Sequence, residues 1–195
     1  MFTGIVQEVG RVVSLDGGRL EVDAPRIAAA TRIGDSVAID GVCLTAVSVE
    51  GGRIAFDAVA ETLRRSALGR LEQGSAVNVE PPLKAGDPLG GHVVQGHVDA
   101  VGAVRSIALE PEGARMWVDA PPEVLRYCVE KGSVAVSGVA LTITTLDDDG
   151  FEVALVPHTL AATTLGSVRP GDEINLEADV LAKYVERLLG ARAAS

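Results

Sequence analysis

An internal repeat runs through most of this sequence and sets its architecture. The segment from Ser36 to Thr45 reads SVAIDGVCLT and the segment from Ser133 to Thr142 reads SVAVSGVALT, so seven of ten positions are identical at an offset of 97 residues. The same offset aligns VNVE at Val77 to Glu80 with INLE at Ile174 to Glu177. A repeat that keeps its register over this distance predicts two homologous units in tandem.

The two copies differ in length near their beginnings. Gly4 to Gly10 aligns with Gly96 to Gly102 at an offset of 92 residues instead of 97, so the second copy is longer by about five residues. We expect the extra residues in a loop at Leu109 to Arg115, which is rich in Glu and Gly. The sequence PPLKAGDPLGG at Pro81 to Gly91 is the predicted linker, because Pro and Gly are typical of crossings between domains.

Each copy contains short apolar runs separated by turn residues. Short strands at this spacing predict an all-β fold, built as a closed antiparallel barrel or a sandwich. One short helix per copy is also expected, because proline is tolerated in the first turn of a helix. The predicted strands of the first copy are Val9 to Leu15, Val37 to Val49, Ile54 to Val59 and Ala76 to Glu80, and the predicted helices are Pro25 to Ala30 and Pro122 to Glu130.

Only the second copy continues into a predicted tail helix, from Val180 to Ala191. Helical spacing separates its residues into an apolar face and a charged face, Leu181, Tyr184, Val185 and Leu188 against Lys183, Glu186 and Arg187. The apolar face is either a lid on its own barrel or a seam between subunits. We favour the seam, since the first copy has no such helix. The predicted units are residues 1–90, 91–179 and 180–195.

Charge and hydropathy exclude several classes of function. The net charge is −10, which disfavours nucleic acid and anionic membranes, because phosphate contacts need clustered Lys and Arg. No apolar run reaches the roughly 18 residues of a membrane helix. Met1 to Val6 passes into a strand-like alternation without a secretory signal, so a cytoplasmic location and reduced Cys43 and Cys128 are expected. The expected ligand is a small molecule.

The two copies differ at positions where a reaction needs different groups. Polar or reactive residues in one copy align with less reactive residues in the other. A protein that binds one ligand in two similar pockets, but treats the two molecules differently, has this pattern. The aligned pairs are Cys43 with Ala140, His97 with Ile5, Lys131 with Gly34, and Glu61 with His158.

Several of these residues also have structural interpretations. Cys43 lies in a predicted strand, on the same face as Thr45, and it is either a buried inert thiol or a reactive one. The matched hydroxyls of Thr45 and Thr142 either satisfy backbone groups or hold a repeated ligand. His97 is a candidate general acid or base, or a structural histidine like His92.

Motifs for metals and nucleotides are not supported. A metal site built from His92, His97 and Asp99 is disfavoured, because their spacing matches no common zinc or iron pattern. The sequence has no GxGxxG that opens a helix after a strand and no GxxxxGK[ST], which phosphate-binding loops require. It also has no GxSxG nucleophile elbow. We therefore expect neither a metal nor a nucleotide cofactor.

Five segments of the sequence form a set that is specific to one family. They are MFTGIV at Met1 to Val6, GVCLT at Gly41 to Thr45, ETL at Glu61 to Leu63, GGHVVQGHVD at Gly90 to Asp99, and AKYVERLL at Ala182 to Leu189. Together they closely resemble the riboflavin synthase alpha-chain family. The resemblance runs from Met1 to about Leu189, and no single segment carries it alone.

The resemblance implies two tandem six-stranded antiparallel Greek-key barrels and a homotrimer formed through the tail helices. It implies a transferase that needs no cofactor. One molecule of 6,7-dimethyl-8-ribityllumazine donates a four-carbon unit to a second, which gives riboflavin and 5-amino-6-ribitylamino-uracil. In the family, the site forms between the first barrel of one chain and the second barrel of its neighbour. A lumazine synthase is a candidate partner.

The resemblance also assigns residues to two pockets. Candidates for direct influence on the rate are Phe2, Ser36, Cys43, His97 and Lys131, with Cys43 and Ser36 on the side of the nucleophile and His97 in proton transfer. The first pocket would use Gly4, Ile5, Val6, Ser36, Cys43, Leu44, Thr45, Asp57, Ala58, Val59, Ala60, Glu61 and Thr62. The second would use Gly96, His97, Val98, Lys131, Ala140, Leu141, Thr142, Val156, Pro157, His158, Thr159, Leu160 and Ala161.

Two positions depart from the family's pattern. The second copy of the family usually reads DG[IV]SLT, whereas this chain has Ser137 and Ala140 in place of the carboxylate and the hydroxyl. Ala140 removes a potential hydrogen bond to the second lumazine, worth about 0.5–1.5 kcal/mol, and Ser137 would slow turnover if the carboxylate positions catalytic groups. The alternatives to an ordinary synthase are a carrier that resembles lumazine protein and a paralogue that acts on a modified lumazine.

Overall fold

The computed structural model describes residues 1–193. It contains two closed antiparallel barrels of six strands each and a C-terminal helix, which confirms the duplicated barrel and excludes the sandwich. The first barrel contains β1 (Glu8–Asp16), β2 (Arg19–Asp23), β3 (Ser36–Ile39), β4 (Val42–Glu50), β5 (Arg53–Asp57) and β6 (Ala76–Glu80). The second contains β7 (Ala100–Glu110), β8 (Gly113–Asp119), β9 (Ser133–Val136), β10 (Val139–Leu146), β11 (Gly150–Leu155) and β12 (Glu173–Ala178).

The two barrels share one topology. The strands follow the order β1-β2-β5-β4-β3-β6 around the first barrel and β7-β8-β11-β10-β9-β12 around the second. From β2 the chain crosses to β3, and β3, β4 and β5 then lead back to the side of β2. The last strand, β6, closes the barrel between β3 and β1, which completes a Greek-key path. Alternate side chains fill each interior. Val37 and Ile39 of β3 and their counterparts Val134 and Val136 of β9 are fully buried.

The predicted strand from Val37 to Val49 is two strands joined by a tight turn. Asp40 and Gly41 form the turn between β3 and β4, with φ of 45° and 77°. Positive φ at both central residues is typical of the two-residue hairpin turn that favours Asp-Gly. Ser137 and Gly138 repeat the turn in the second barrel, with φ of 43° and 79°. The turns meet so closely that a Cβ added at Gly41 would lie 2.6 Å from the backbone nitrogen of Gly138.

Matched asparagines join the barrels beside these turns. The Nδ2 of Asn78 donates to the carbonyl of Ser137 at 2.9 Å, and the Nδ2 of Asn175 donates to the carbonyl of Asp40 at 2.8 Å. Burial raises the pKa of Asp40 to about 7, although its carboxylate accepts a hydrogen bond from the backbone N–H of Asn78. At the matched position Ser137 is a neutral hydroxyl, so it adds no charge to this seam between the barrels.

The helices differ from the prediction in number and length. The two predicted ones are shorter, α1 (Pro25–Ala28) and α3 (Pro122–Leu125), and each copy has a second helix, α2 (Ala60–Arg65) and α4 (Pro157–Ala162). The expectation of one short helix per copy is therefore wrong. A helix of six residues is too short to show a hydrophobic period in the sequence.

The extra residues of the second copy do not form a longer loop at Leu109 to Arg115. β7 has 11 residues and β8 has 7, against 9 for β1 and 5 for β2. Only Pro111 and Glu112 separate β7 from β8. The excess lengthens both arms of a hairpin, whose paired strands satisfy each other's backbone hydrogen bonds.

The C-terminal helix α5 (Val180–Ala193) confirms the predicted tail helix, and residues 194 and 195 of the predicted tail lie outside the described residues. Its charged face packs against the second barrel. The Nζ of Lys183 lies 2.6 Å from Oδ1 of Asp99, and the hydroxyl of Tyr127 donates to Glu186 at 2.8 Å. The apolar face points away from the barrel, since Leu181, Tyr184, Val185 and Leu188 are 54–68% exposed. The lid interpretation is therefore wrong.

Within residues 1–193, no helix combines the length and apolar character needed to cross a membrane.

Candidate active site

The candidate residues of β3 and β4 lie on the outer face of the first barrel. Leu44 points into the core, whereas Cys43 is half-buried and Thr45 is exposed on the opposite face. Ser36 pairs with Thr45 across the two strands, so its side chain shares that outer face. Cys43, Thr45 and Ser36 are therefore available to a ligand that binds outside the barrel.

A cleft of about 200 Å³ opens on this face. Cys43 of β4, Thr62 of α2, and His97 with Val98 line it. Pockets that enclose drug-sized ligands measure about 300–1,000 Å³. A drug-sized ligand would therefore extend beyond this cleft.

His97 lines this first cleft together with Gly96 and Val98, whereas the sequence assigned all three to the second pocket. The carbonyl of Gly96 accepts a hydrogen bond from the N–H of Cys43 at 2.8 Å. Val98 packs against the core of the first barrel. The physical reason is that the chain ahead of β7 belongs to the second repeat in sequence but crosses to the first barrel before β7 begins at Ala100.

The N-terminal segment makes the reciprocal crossing. The carbonyl of Gly4 accepts a hydrogen bond from the N–H of Ala140 at 2.8 Å, and Val6 packs against the core of the second barrel. Ile5 follows Gly4 on this segment as His97 follows Gly96; it is 46% exposed, and its side chain lines a cavity with Arg26 and Ile27 of α1. The structure thus places Gly4 and Val6 against the second barrel, whereas the sequence assigned them with Ile5 to the first pocket.

The other candidates of the second pocket lie on the matching face of the second barrel. Thr142 is exposed on β10, and Lys131 is exposed just before β9, with a φ of 64°. His158 is exposed on α4. Leu141 is 9% exposed and packs in the core, as Leu44 does in the first barrel, so only its backbone can reach a ligand.

Two matched segments, Asp57 to Thr62 and Val156 to Ala161, lead from the last residue of β5 and the end of β11 into the short helices α2 and α4. Their members are not equally available to a ligand. Ala58 is buried in the core, and Asp57 is paired with Arg19, with 3.3 Å between Oδ1 and Nη1. Thr62, in contrast, lines the first cleft.

Phe2 lies behind the first cleft rather than in it. Its side chain is fully buried, and its backbone exchanges two hydrogen bonds with Val94, at 2.7 and 3.1 Å. A Cβ added at Gly96 would lie 3.0 Å from the Phe2 ring, so the ring supports the turn that carries His97. Any influence of Phe2 on the rate therefore acts through the position of this turn.

His92 and Asp99 have different surroundings in the structure. His92 is buried, its burial lowers its pKa, and its Nε2 has no hydrogen-bond partner among the described residues. Asp99 pairs with Lys183 of α5. Across residues 1–193, no three His, Cys, Asp or Glu side chains are grouped so that they could hold a metal ion.

Both halves of the chain match one known domain. A family model described as the lumazine binding domain matches residues 3–81 and again residues 95–179. The riboflavin synthase of Mycobacterium tuberculosis is 47% identical over 97% of this chain and 98% of its own length. The riboflavin synthase of Photobacterium phosphoreum is 39% identical over 97% of this chain and 89% of its own length. This chain belongs to the riboflavin synthase family.

Solved structures share the fold of this riboflavin synthase family member. LumP complexed with riboflavin superimposes with a TM-score of 0.85 at 24% identity, over 91% of this chain and 99% of that chain. LumP complexed with 6,7-dimethyl-8-(1'-D-ribityl) lumazine gives a TM-score of 0.83 over the same shares. The duplicated barrel is therefore a fold already known from solved proteins.

The two departures from the riboflavin synthase family pattern fall in different places. Ser137 is buried at the seam between the barrels, where its Oγ accepts a hydrogen bond from the backbone N–H of Asn175 at 3.4 Å. Ala140 lies on the outer face of β10, directly under Gly4. A change at position 137 thus acts on the contact between the barrels, whereas a change at position 140 acts on the outer face of the second barrel.

Two buried carboxylates of the riboflavin synthase fold are missing from the sequence-based candidates. Glu80 and Glu177 end the matched VNVE and INLE segments and are 4% and 3% exposed. Each accepts hydrogen bonds from the backbone of a crossing segment. The signal that could have found them is the Glu kept at matched apolar positions, since a buried carboxylate is rare unless it is hydrogen-bonded.

Proposed function

We propose that this chain is a riboflavin synthase, a transferase that converts two molecules of 6,7-dimethyl-8-ribityllumazine into riboflavin and 5-amino-6-ribitylamino-uracil. The observation that carries the proposal is a pair of matched outer faces that differ at the reactive positions. Cys43 and His97 meet on the first, whereas Ala140 and Ile5 are the residues matched to them in the repeat. Two identical substrates need similar pockets, and donor and acceptor need different surroundings.

His97 and Cys43 divide the chemistry of the first cleft. His97 transfers the proton of the acidic 7-methyl group of a lumazine, since an imidazole nitrogen can both accept and donate a proton. Cys43 acts as the nucleophile or orients it, together with Ser36 on the same face of the barrel. Lys131 contributes to the rate from the second barrel. Holding two lumazines face to face replaces a bimolecular collision by an oriented encounter, which is worth about 7 kcal/mol or more in favourable cases.

A homotrimer with shared sites completes the proposal. The first cleft encloses only about 200 Å³, so the bound pair of ligands needs a second wall. The apolar face of α5 is exposed, and such a face is typical of an interface between subunits. A head-to-tail ring of three chains would place the first barrel of one copy against the second barrel of the next.

We further propose a cytoplasmic location and a protein partner. Cys43 and Cys128 are both free thiols, which supports a reducing compartment and hence the cytoplasm. Association with a lumazine synthase is a prediction that follows from the family resemblance.

The purified protein, incubated with 6,7-dimethyl-8-ribityllumazine, tests this function. We expect riboflavin absorbance to appear while lumazine disappears in a two-to-one ratio to the riboflavin formed. A heat-denatured sample is the control for spontaneous conversion. Tight binding of lumazine without riboflavin formation would contradict the proposal and indicate a carrier, and equilibrium dialysis would then count one ligand per chain instead of two.

A further inference from the structure

Glu177, at the end of β12, holds the turn that carries His97. Its Oε1 accepts a hydrogen bond from the N–H of Gln95 at 2.7 Å. Its Oε2 accepts two more, from the N–H groups of Gly96 and His97, each at 3.0 Å. Three consecutive backbone donors therefore converge on one buried carboxylate, and hydrogen bonds to an ionised acceptor are about twice as strong as neutral ones.

The turn that Glu177 holds does not rest on Glu177's own barrel. The carbonyl of Gly96 bonds to the N–H of Cys43, and a Cβ at Gly96 would lie 2.6 Å from the Cβ of Cys43. His97 then lines the cleft of the first barrel. A residue of the second barrel thus sets the geometry of the first cleft.

Glu80, at the end of β6, makes the reciprocal arrangement. Its Oε1 accepts hydrogen bonds from the N–H and the hydroxyl of Thr3, at 2.7 and 2.8 Å, and its Oε2 accepts one from the N–H of Gly4 at 3.0 Å. The carbonyl of Gly4 bonds in turn to the N–H of Ala140. A residue of the first barrel thus sets the position of Gly4 beside the second barrel.

We propose that Glu80 and Glu177 are crossed positioning residues, each of which holds the segment that completes the ligand pocket of the other barrel. Each carboxylate acts through the backbone of the segment that it holds. The inference rests on the proposed function for the identity of the ligand, but not for the arrangement of the segments.

The surroundings of the two carboxylates differ in one respect. Asp99, two residues after His97, pairs with Lys183 of α5, and its Oδ2 accepts a hydrogen bond from the N–H of Ala178, next to Glu177. The tail helix is therefore connected to the segment that Glu177 holds. Burial raises the pKa of both Glu80 and Glu177, that of Glu177 to about 7.

The variants Glu177→Gln and Glu80→Gln form a matched pair that tests the crossing. Glutamine keeps the size of the side chain but turns one acceptor oxygen into a donor, which faces a backbone N–H. Cys43 reports on the first cleft without any need for turnover, by its rate of alkylation with iodoacetamide and by protection with bound riboflavin. Cys128 serves as the internal reference, since it is buried and its burial raises its pKa to about 11.

We expect Glu177→Gln to raise the alkylation rate of Cys43 by about fivefold or more and to remove protection by riboflavin, in line with a lost charge-assisted hydrogen bond. Glu80→Gln is expected to leave the alkylation rate of Cys43, measured without riboflavin, within about twofold of that of the original protein. Equal changes in both variants, or no change in either, would overturn the proposal. If Glu177→Gln does not fold, Glu177→Asp, which keeps the charge but withdraws the carboxylate, gives the same comparison with Glu80→Asp.

The same samples separate this inference from the proposed function. If the two variants change the alkylation of Cys43 as expected but the original protein forms no riboflavin from lumazine, the proposed synthase activity is wrong and the crossed arrangement stands. If the original protein forms riboflavin but the alkylation of Cys43 changes equally in both variants, the crossed arrangement is wrong and the proposed synthase activity stands.

Discussion

Replacing Leu181, Val185 and Leu188 of α5 with glutamate is expected to give monomers that form riboflavin about 100-fold more slowly, or not at all. These side chains are more than half exposed in the single chain, so charges there leave the barrels intact. They oppose burial of the same face against a neighbouring copy, because an unpaired charge is costly to desolvate. Sedimentation velocity gives the mass, expected at 20.1 kDa, and riboflavin absorbance gives the rate.

Arg187→Glu is the control for this result. Arg187 lies on α5 outside the apolar face and is exposed, so the change adds negative charge to the same helix without touching the proposed interface. We expect trimers with activity within about twofold of the original protein. If the variant with three glutamates in α5 is monomeric and remains fully active, a single chain holds a complete site.

Replacing Gly96 with alanine is expected to lower the rate of riboflavin formation by about 100-fold. The φ of Gly96 is 80°, and an added Cβ would lie 2.6 Å from the Cβ of Cys43 and 2.9 Å from its backbone nitrogen. Because β4 cannot give way without disturbing the barrel, the turn moves and takes His97 out of the cleft. The rate is measured with 6,7-dimethyl-8-ribityllumazine, and circular dichroism confirms that the barrels persist.

Gly34→Ala separates the steric effect from the backbone effect. Gly34 also has a positive φ, of 94°, but an added Cβ would meet no atom within 4 Å. The left-handed conformation then costs about 1–2 kcal/mol in stability, with no displacement of a neighbouring strand. We expect Gly34→Ala to lower the melting temperature and to keep the rate. An equal loss of rate in both variants would mean that backbone strain alone, rather than contact with Cys43, explains the effect at Gly96.

The duplicated barrel was predictable because the repeat and the alternation of apolar residues are local features of the sequence. The match of SVAIDGVCLT with SVAVSGVALT places Cys43 opposite Ala140 in equivalent strands, and the structure keeps this equivalence. Asp-Gly is a strong signal for a hairpin turn, so the turn at Asp40 and Gly41 could have been predicted. The prediction of one strand from Val37 to Val49 followed the apolar run around it instead.

The crossing of His97 and Ile5 was not predictable from the alignment of the repeats. An alignment assigns a segment to its repeat, but the barrel on which the segment packs depends on contacts between the halves. Here those contacts are the bonds from Cys43 to Gly96 and from Ala140 to Gly4, and the carboxylate of Glu177 that holds the turn. Each of them joins residues far apart in the chain, so no local pattern records the exchange.

Complementation between two blocked variants decides whether one active site is built from two chains. Thr45 and Thr142 are exposed at matched positions on the outer faces, so Thr45→Trp blocks the first pocket and Thr142→Trp blocks the second. Each variant alone is expected to be inactive. In trimers assembled from equal amounts of both, about a quarter of the shared sites combine two intact pockets, so about a quarter of the original rate is expected. Mixed trimers that form no more riboflavin than either variant alone would contradict a site shared between neighbouring chains.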